Sequence, residues 1–172
     1  MLGWATYNGD HMSMYAVNAS VPKTMVRHIV KVYSDYHKGE GEVSAILDDI
    51  LATPVSPELL PPKDGEIAQC TEALVGPYEL HDYFIYYTLR HGLSPREIYD
   101  IAKRSFEGVY DNKTILGWLR VFVRRFFSQQ FKRSCLPDGP KVGCISVSPR
   151  CDLRMPSDAS AKLWLKELDE IG

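Results

Sequence analysis

Between residues 112 and 133 the apolar side chains Ile115, Trp118, Leu119, Phe122, Val123 and Phe126 recur at intervals of three and one. An α-helix lines up such a set, because its 3.6-residue turn brings i, i+3, i+4 and i+7 onto one face. Asp111 stands where an N-cap belongs, so the spacing predicts a helix from Asn112 to about Arg133. A stripe this broad and aromatic reads as core, to be covered by other elements, rather than as a cofactor box. Arg120, Arg124 and Arg125 fall on or beside the opposite face.

The neighbouring segments are helical as well. Residues 78–90 form a strongly aromatic helix ended by Gly92, and Ser94-Pro95-Arg96-Glu97 is a capping box with proline at the first helical position. Ser20 is placed to cap a helix with Pro22 in its first turn and Met25, Ile29, Val32 and Tyr33 as its buried stripe. Val43, Ile46, Leu47, Ile50 and Leu51 predict a short amphipathic helix, and the proline-stiffened run 52–66 an extended connection. Ser157 is expected to cap a last helix carrying Leu163, Trp164, Leu165 and Leu168, while 141–150 is a candidate short strand. Residues 1–20 read as a strand or helix remnant followed by an ordered loop. The expected fold class is therefore mainly α.

Charge is segregated along the chain, although its formal net charge is −2. Residues 40–72 hold eight acidic side chains against Lys63, a net of −7; residues 96–133 hold nine basic ones against four acidic, a net of +5. The second half is thus suited to meet an anion or an acidic surface. The negative total and the helical placing of the aromatics argue against RNA binding. Cys70, Cys135, Cys144 and Cys151 lack C-x-x-C spacing, and the five histidines lack ligand spacing beside them, so reduced thiols and no metal site are expected. No apolar run reaches membrane-spanning length.

Three clusters could carry chemistry. Lys23 in S-V-P-K-T lies in the first turn of a helix, against the dipole; it is either an exposed lysine or one that meets a phosphate beside the free N–H groups. Lys132-Arg133, with Lys141 in the following Pro/Gly loop, is either a solvated helix end or a cationic cluster awaiting an anion. Trp4 to Asp10, W-A-T-Y-N-G-D, is either a packed loop or one holding a flat ring by stacking and cation–π attraction. There is no G-x-x-x-x-G-K-[ST], no G-x-G-x-x-G and no S-G-G-x-D-S, and no catalytic residue can be named.

Three stretches, LGWATYNGDHMSMYAVNASVPKT, GPYELHDYFIYYTLRHGLSPREIYDIAK and FFSQQFKRSCLPDGPKVGCISVSPRCDLRMPSDASAKLWL, resemble the C-terminal part of glutamine-dependent NAD(+) synthetases. The most specific pieces are F-K-R-S-x-L-P-D-G-P-K-V and R-M-P-S-D-A-S, and the resemblance runs from Leu2 to about Glu170. It implies the C-terminal portion of a Rossmann-like α/β synthetase domain of the adenine nucleotide alpha hydrolase-like kind. Residues 1–60 would be half of the nucleotide site and 73–172 a helical C-terminal extension.

The resemblance also implies chemistry. ATP, with magnesium, adenylates the carboxylate of deamido-NAD, and ammonia taken from glutamine displaces AMP to give NAD. By resemblance Lys23 and Ser56, with Thr53 close to the latter, contact ATP. Trp4, Ala5, Thr6, Tyr7, Asp10 and Lys132 match the deamido-NAD pocket. The S-G-G-x-D-S loop and the glutaminase domain are missing, so a piece of a synthetase, inactive alone, is expected. Cys151 and Leu153 stand where the family usually shows Gly and Trp. A cytoplasmic homo-oligomer without nucleic-acid or membrane partners is implied. The alternative is a stand-alone helical interaction or oligomerisation module without catalysis.

Overall fold

The computed structural model describes residues 2–3, 7, 9, 12–53 and 76–171. Its helices are α1 (Lys23–Tyr36), α2 (Val43–Ala52), α3 (Tyr78–Tyr86), continued by a π-helical turn (Tyr87–His91), α4 (Pro95–Ser105), α5 (Asn112–Ser128), α6 (Gln130–Ser134) and α7 (Lys162–Asp169). Among the described residues there is no strand, and the candidate strand at 141–150 is a loop. The chain divides into two compact units, Pro22–Glu79 and a second made of Met1–Val21 with Leu80–Gly172, the boundary falling within α3.

The larger unit is built around α5. Ile115, Leu119, Phe122 and Val123 are wholly buried there, together with Leu80 and Phe84 of α3, Ile98 and Ala102 of α4 and Leu168 of α7. The aromatic side chains are stacked through it: Phe84 and Phe122 lie 5.6 Å apart, Phe122 and Phe126 5.5 Å, and Phe126 and Trp164 6.1 Å. Such offset and edge contacts add to the area they bury. The caps expected at both helices form. Ser94 Oγ accepts from the Glu97 amide, the Glu97 carboxylate accepts from the Ser94 amide at 2.8 Å, and Asp111 accepts from the Thr114 amide at 2.8 Å.

Three details depart from the pattern. The aromatic helix α3 loosens into a π turn, where the Thr88 hydroxyl donates back to the Phe84 carbonyl at 2.7 Å before Gly92 ends it at φ 66°. The helix expected to run to Arg133 breaks at Gln129 (φ −100°, ψ 10°), which caps α5 and starts α6. The last helix begins at Lys162, not after Ser157, whose hydroxyl instead lies 3.2 Å from that of Ser134; Leu163 is exposed.

In the smaller unit α1 and α2 pack as a helical pair, but not by the stripe that the sequence suggested. Ser34 of α1 is fully buried and donates to Asp48 of α2 at 2.8 Å, Lys31 reaches the same carboxylate at 3.2 Å, and Arg27 donates to the Leu51 carbonyl at 2.9 Å. Met25, Ile29, Val32 and Tyr33 are all exposed. Ser20 does not cap α1 either: Pro22 occupies the N-cap position without a side-chain bond. Periodicity tells which residues share a face, but not which side the next helix takes.

Candidate functional site

The break at Gln129 separates two cations that both reach the start of the chain. Arg125, one turn before it, donates from Nε to the Leu2 carbonyl at 3.0 Å, and Lys132, one turn after it, donates from Nζ to the Gly3 carbonyl at 2.8 Å. Phe131 lies beside them, its ring 5.5 Å from that of Tyr7 and 6.0 Å from the Lys132 ammonium. Of the residues read from the sequence, Tyr7 and Lys132 are thus brought together, around an aromatic ring that the reading had not singled out. Phe131 is 42% exposed, so part of its ring surface meets solvent.

The other two cations of the cluster have separate roles. Arg133 is 2% exposed; it donates to Gln130 Oε1 at 2.9 Å and to the Phe126 carbonyl, and its guanidinium lies 5.1 Å from the Phe126 ring. Burial pushes its pKa down to about 10, which leaves it charged at neutral pH. Lys141 pairs with Asp152 at 2.8 Å, and Asp152 also accepts from the Ser146 amide at 2.7 Å. That ammonium, with the amide, holds the Asp152 carboxyl below the usual carboxylate range. Arg133 is therefore buried and not a solvated helix-end charge, whereas Lys141 is an exposed lysine of the loop held in an ion pair.

The loop after α6 closes on the N-terminal loop. The Ala16 amide donates to the Asp138 carbonyl at 2.7 Å, and the Val147 amide to the Ala19 carbonyl at 3.3 Å. Ser20, 5% exposed, accepts the amides of Val142 at 2.6 Å and Gly143 at 3.2 Å and donates to the Pro140 carbonyl at 3.3 Å. The P-D-G-P-K-V run is therefore the seat on which residues 12–20 rest. Leu153 is buried in the core, and Cys151 lies in a turn closed by its amide on the Ser148 carbonyl. Cys135, Cys144 and Cys151 are free thiols.

Lys23 belongs to the smaller unit, exposed in the first turn of α1, with its ammonium 5.9 Å from the Tyr78 ring. Trp4, Ala5, Thr6, Asp10 and Ser56 lie outside the described residues. Gly3, Arg125 and Phe131 are what the sequence reading missed. The glycine directly before the aromatic W-A-T-Y run was the available signal, since a glycine there suits a close approach of backbone.

Comparison with known proteins gives the chain's relatives. A glutamine-dependent NAD(+) synthetase from Mycobacterium leprae (strain TN) is 41% identical over 187 positions, covering 98% of this chain and 28% of that protein. The enzyme of the same name from Mycobacterium tuberculosis (strain H37Rv) is 42% identical over 188 positions, covering 98% and 27%. This chain is homologous to the glutamine-dependent NAD(+) synthetases. It spans little more than a quarter of the length of these synthetases. A crystal structure of a glutamine-dependent NAD(+) synthetase from Cytophaga hutchinsonii superposes with a TM-score of 0.66 at 20% identity, over 99% of this chain and 24% of that one, and shows the shared fold. No protein-family model matches the chain. No helix among the described residues is long and apolar enough to cross a membrane.

Proposed function

We propose that this chain is the C-terminal part of an ATP-dependent ligase that adenylates deamido-NAD and amidates it with ammonia from glutamine to give NAD, and that alone it is inactive. The homology over 98% of the chain supports the reaction. The observation that carries the site is the meeting of the Lys132 ammonium, the Gly3 carbonyl and the Tyr7 and Phe131 rings. An ammonium beside exposed aromatic faces suits a dinucleotide, which offers phosphates to the cation and flat rings to the aromatics.

In this reading Trp4, Ala5, Thr6, Tyr7, Asp10 and Lys132 bind deamido-NAD, while Lys23 and Ser56 bind ATP. Residues 1–60 form half of the nucleotide site and 73–172 a helical extension of a Rossmann-like α/β domain. Adenylation builds negative charge on departing pyrophosphate, and a first-turn lysine such as Lys23 supplies a cation to it. Magnesium accompanies ATP in such a reaction. Among the described residues no group of His, Cys, Asp and Glu is gathered to hold a metal, so none of them is assigned to it. The parent enzyme is read as a cytoplasmic homo-oligomer, with neither nucleic acid nor membrane as partner.

The test is NAD formation from deamido-NAD, ATP and ammonium by the complete polypeptide that contains this chain, and by the chain alone. Turnover by the first and none by the second is expected. In the complete enzyme Lys132→Ala should lower kcat/KM for deamido-NAD by one to two orders of magnitude, roughly the worth of a hydrogen bond to a charged group. An unchanged kcat/KM removes Lys132 from the site.

A further inference from the structure

Arg125 lies one turn before the break at Gln129 and Lys132 one turn after it, on two successive helices. Their donors hold two consecutive carbonyls, Leu2 and Gly3. In an extended segment consecutive carbonyls point to opposite sides, so both could not be held from one face. Gly3 resolves this with φ 66°, in the left-handed region. Its α-carbon also lies so close to the break that an added Cβ would come within 2.5 Å of Gln129 Cβ. Leu2 is buried in the core, which fixes the other end of the dipeptide.

A lysine side chain has four rotatable bonds and a freely turning ammonium, so its direction is set by what it touches. Here a touching group is the Gly3 carbonyl, whose own orientation depends on the neighbouring Leu2 carbonyl being held by Arg125. We propose that Arg125 is a positioning residue for deamido-NAD binding: through the Leu2–Gly3 backbone it aims the Lys132 ammonium. This rests on the reading of Lys132 as a dinucleotide-binding residue. Arg125 touches no substrate in this proposal, and its contribution passes through Lys132.

A double-mutant cycle in the complete enzyme tests this, with Arg125→Met, Lys132→Ala and the pair, measuring KM for deamido-NAD and for ATP separately. Methionine keeps much of the apolar stem and removes the donors. Arg125→Met should raise KM for deamido-NAD about tenfold, the order expected for one hydrogen bond from a charged donor, and leave KM for ATP within about twofold. On the Lys132→Ala background the same substitution should add less than about twofold, because two residues acting as one unit are not additive. Arg125→Lys, which restores a cationic donor, should recover part of the loss.

A full tenfold effect on the Lys132→Ala background, or equal shifts in both KM values, overturns the proposal and leaves Arg125 a structural residue. If Lys132→Ala acts on deamido-NAD while Arg125→Met and Arg125→Lys both match the parent enzyme, positioning alone fails. If Lys132→Ala itself leaves KM for deamido-NAD unchanged, the dinucleotide reading falls and the proposal falls with it.

Discussion

The hydroxyl of Ser20 accepts the amide of Val142 at 2.6 Å, tying together residues 122 apart in the chain. The same oxygen takes the Gly143 amide and donates to the Pro140 carbonyl, so one buried side chain serves three backbone groups. Removing it leaves two amide donors facing a site without an acceptor, and a buried unmade bond costs more than a made one contributes. Ser20→Ala is therefore expected to destabilise the larger unit by about 2 kcal/mol, and Ser20→Thr by less. Urea unfolding followed by tryptophan fluorescence measures both; equal midpoints for all three proteins would show that the clasp carries no stability.

Gly139 makes the second contact of that clasp. A Cβ at this position would lie 1.9 Å from the Ala16 carbonyl oxygen, which is backbone and cannot rotate away. Gly139→Ala must push the N-terminal loop off its seat, with a loss of about 1–3 kcal/mol, the usual scale of overpacking. Protease cleavage within residues 12–20 should also quicken, because the loop is held by its hydrogen bonds to this segment. Cleavage at the parent rate would mean that the loop is held by other contacts.

These contacts show which parts of the fold are legible in the sequence. The box at Ser94 and Glu97 and the Asp111 cap were readable because each is decided within four residues. The α5 stripe was readable because a periodic face needs a core whatever covers it. The break at Gln129 was not, since glutamine is a good helix former and nothing local stops the helix there. Arg133 has the composition of a surface charge, yet it turns back to the Phe126 carbonyl in the last turn of α5, one of the acceptors that a helix end leaves open. Ser20 was misplaced for a similar reason. A serine two residues before a proline fits a cap by local rules, and only the distant 140–143 loop tells otherwise. Within the candidate site, Lys132 and Tyr7 are legible from the motif and Gly3 left the signal of a glycine before the aromatic run, whereas Arg125 bonds backbone 123 residues away and leaves no local pattern.

Asp152 gives a dependence on pH with a definite sign. Its folded carboxyl lies below the usual range, chiefly because of the Lys141 ammonium and also the Ser146 amide. A carboxylate held lower in the folded state stabilises above its ordinary value, near 3.8, and that contribution is lost as pH falls through the folded value. Both side chains are partly exposed, so the effect is small, under about 1 kcal/mol. The stability difference between the parent and Asp152→Asn should be constant from about pH 8 to 5 and shrink below about pH 4. A difference that persists unchanged in acid would assign the loss to the amide's geometry instead of the charge.

The apolar stripe of α1 is uncovered. Met25, Ile29, Val32, Tyr33 and Tyr36 are between 49% and 78% exposed, and Val43, Ile46 and Ile50 of α2 are exposed as well. A helix face about 100° wide and apolar is the kind that globular proteins bury, and uncovered patches beyond a few hundred Å² promote association. The chain by itself should therefore associate as its concentration rises, and Ile29→Glu with Val32→Glu should keep it monomeric in sedimentation velocity. The relatives are more than three times longer than the part matched, which leaves ample polypeptide to cover the stripe in the complete enzyme. There the same pair of substitutions should act in the opposite sense, lowering the unfolding midpoint, because two carboxylates would be forced into a covered apolar face. An unchanged midpoint in the complete enzyme would mean that the stripe faces solvent there too.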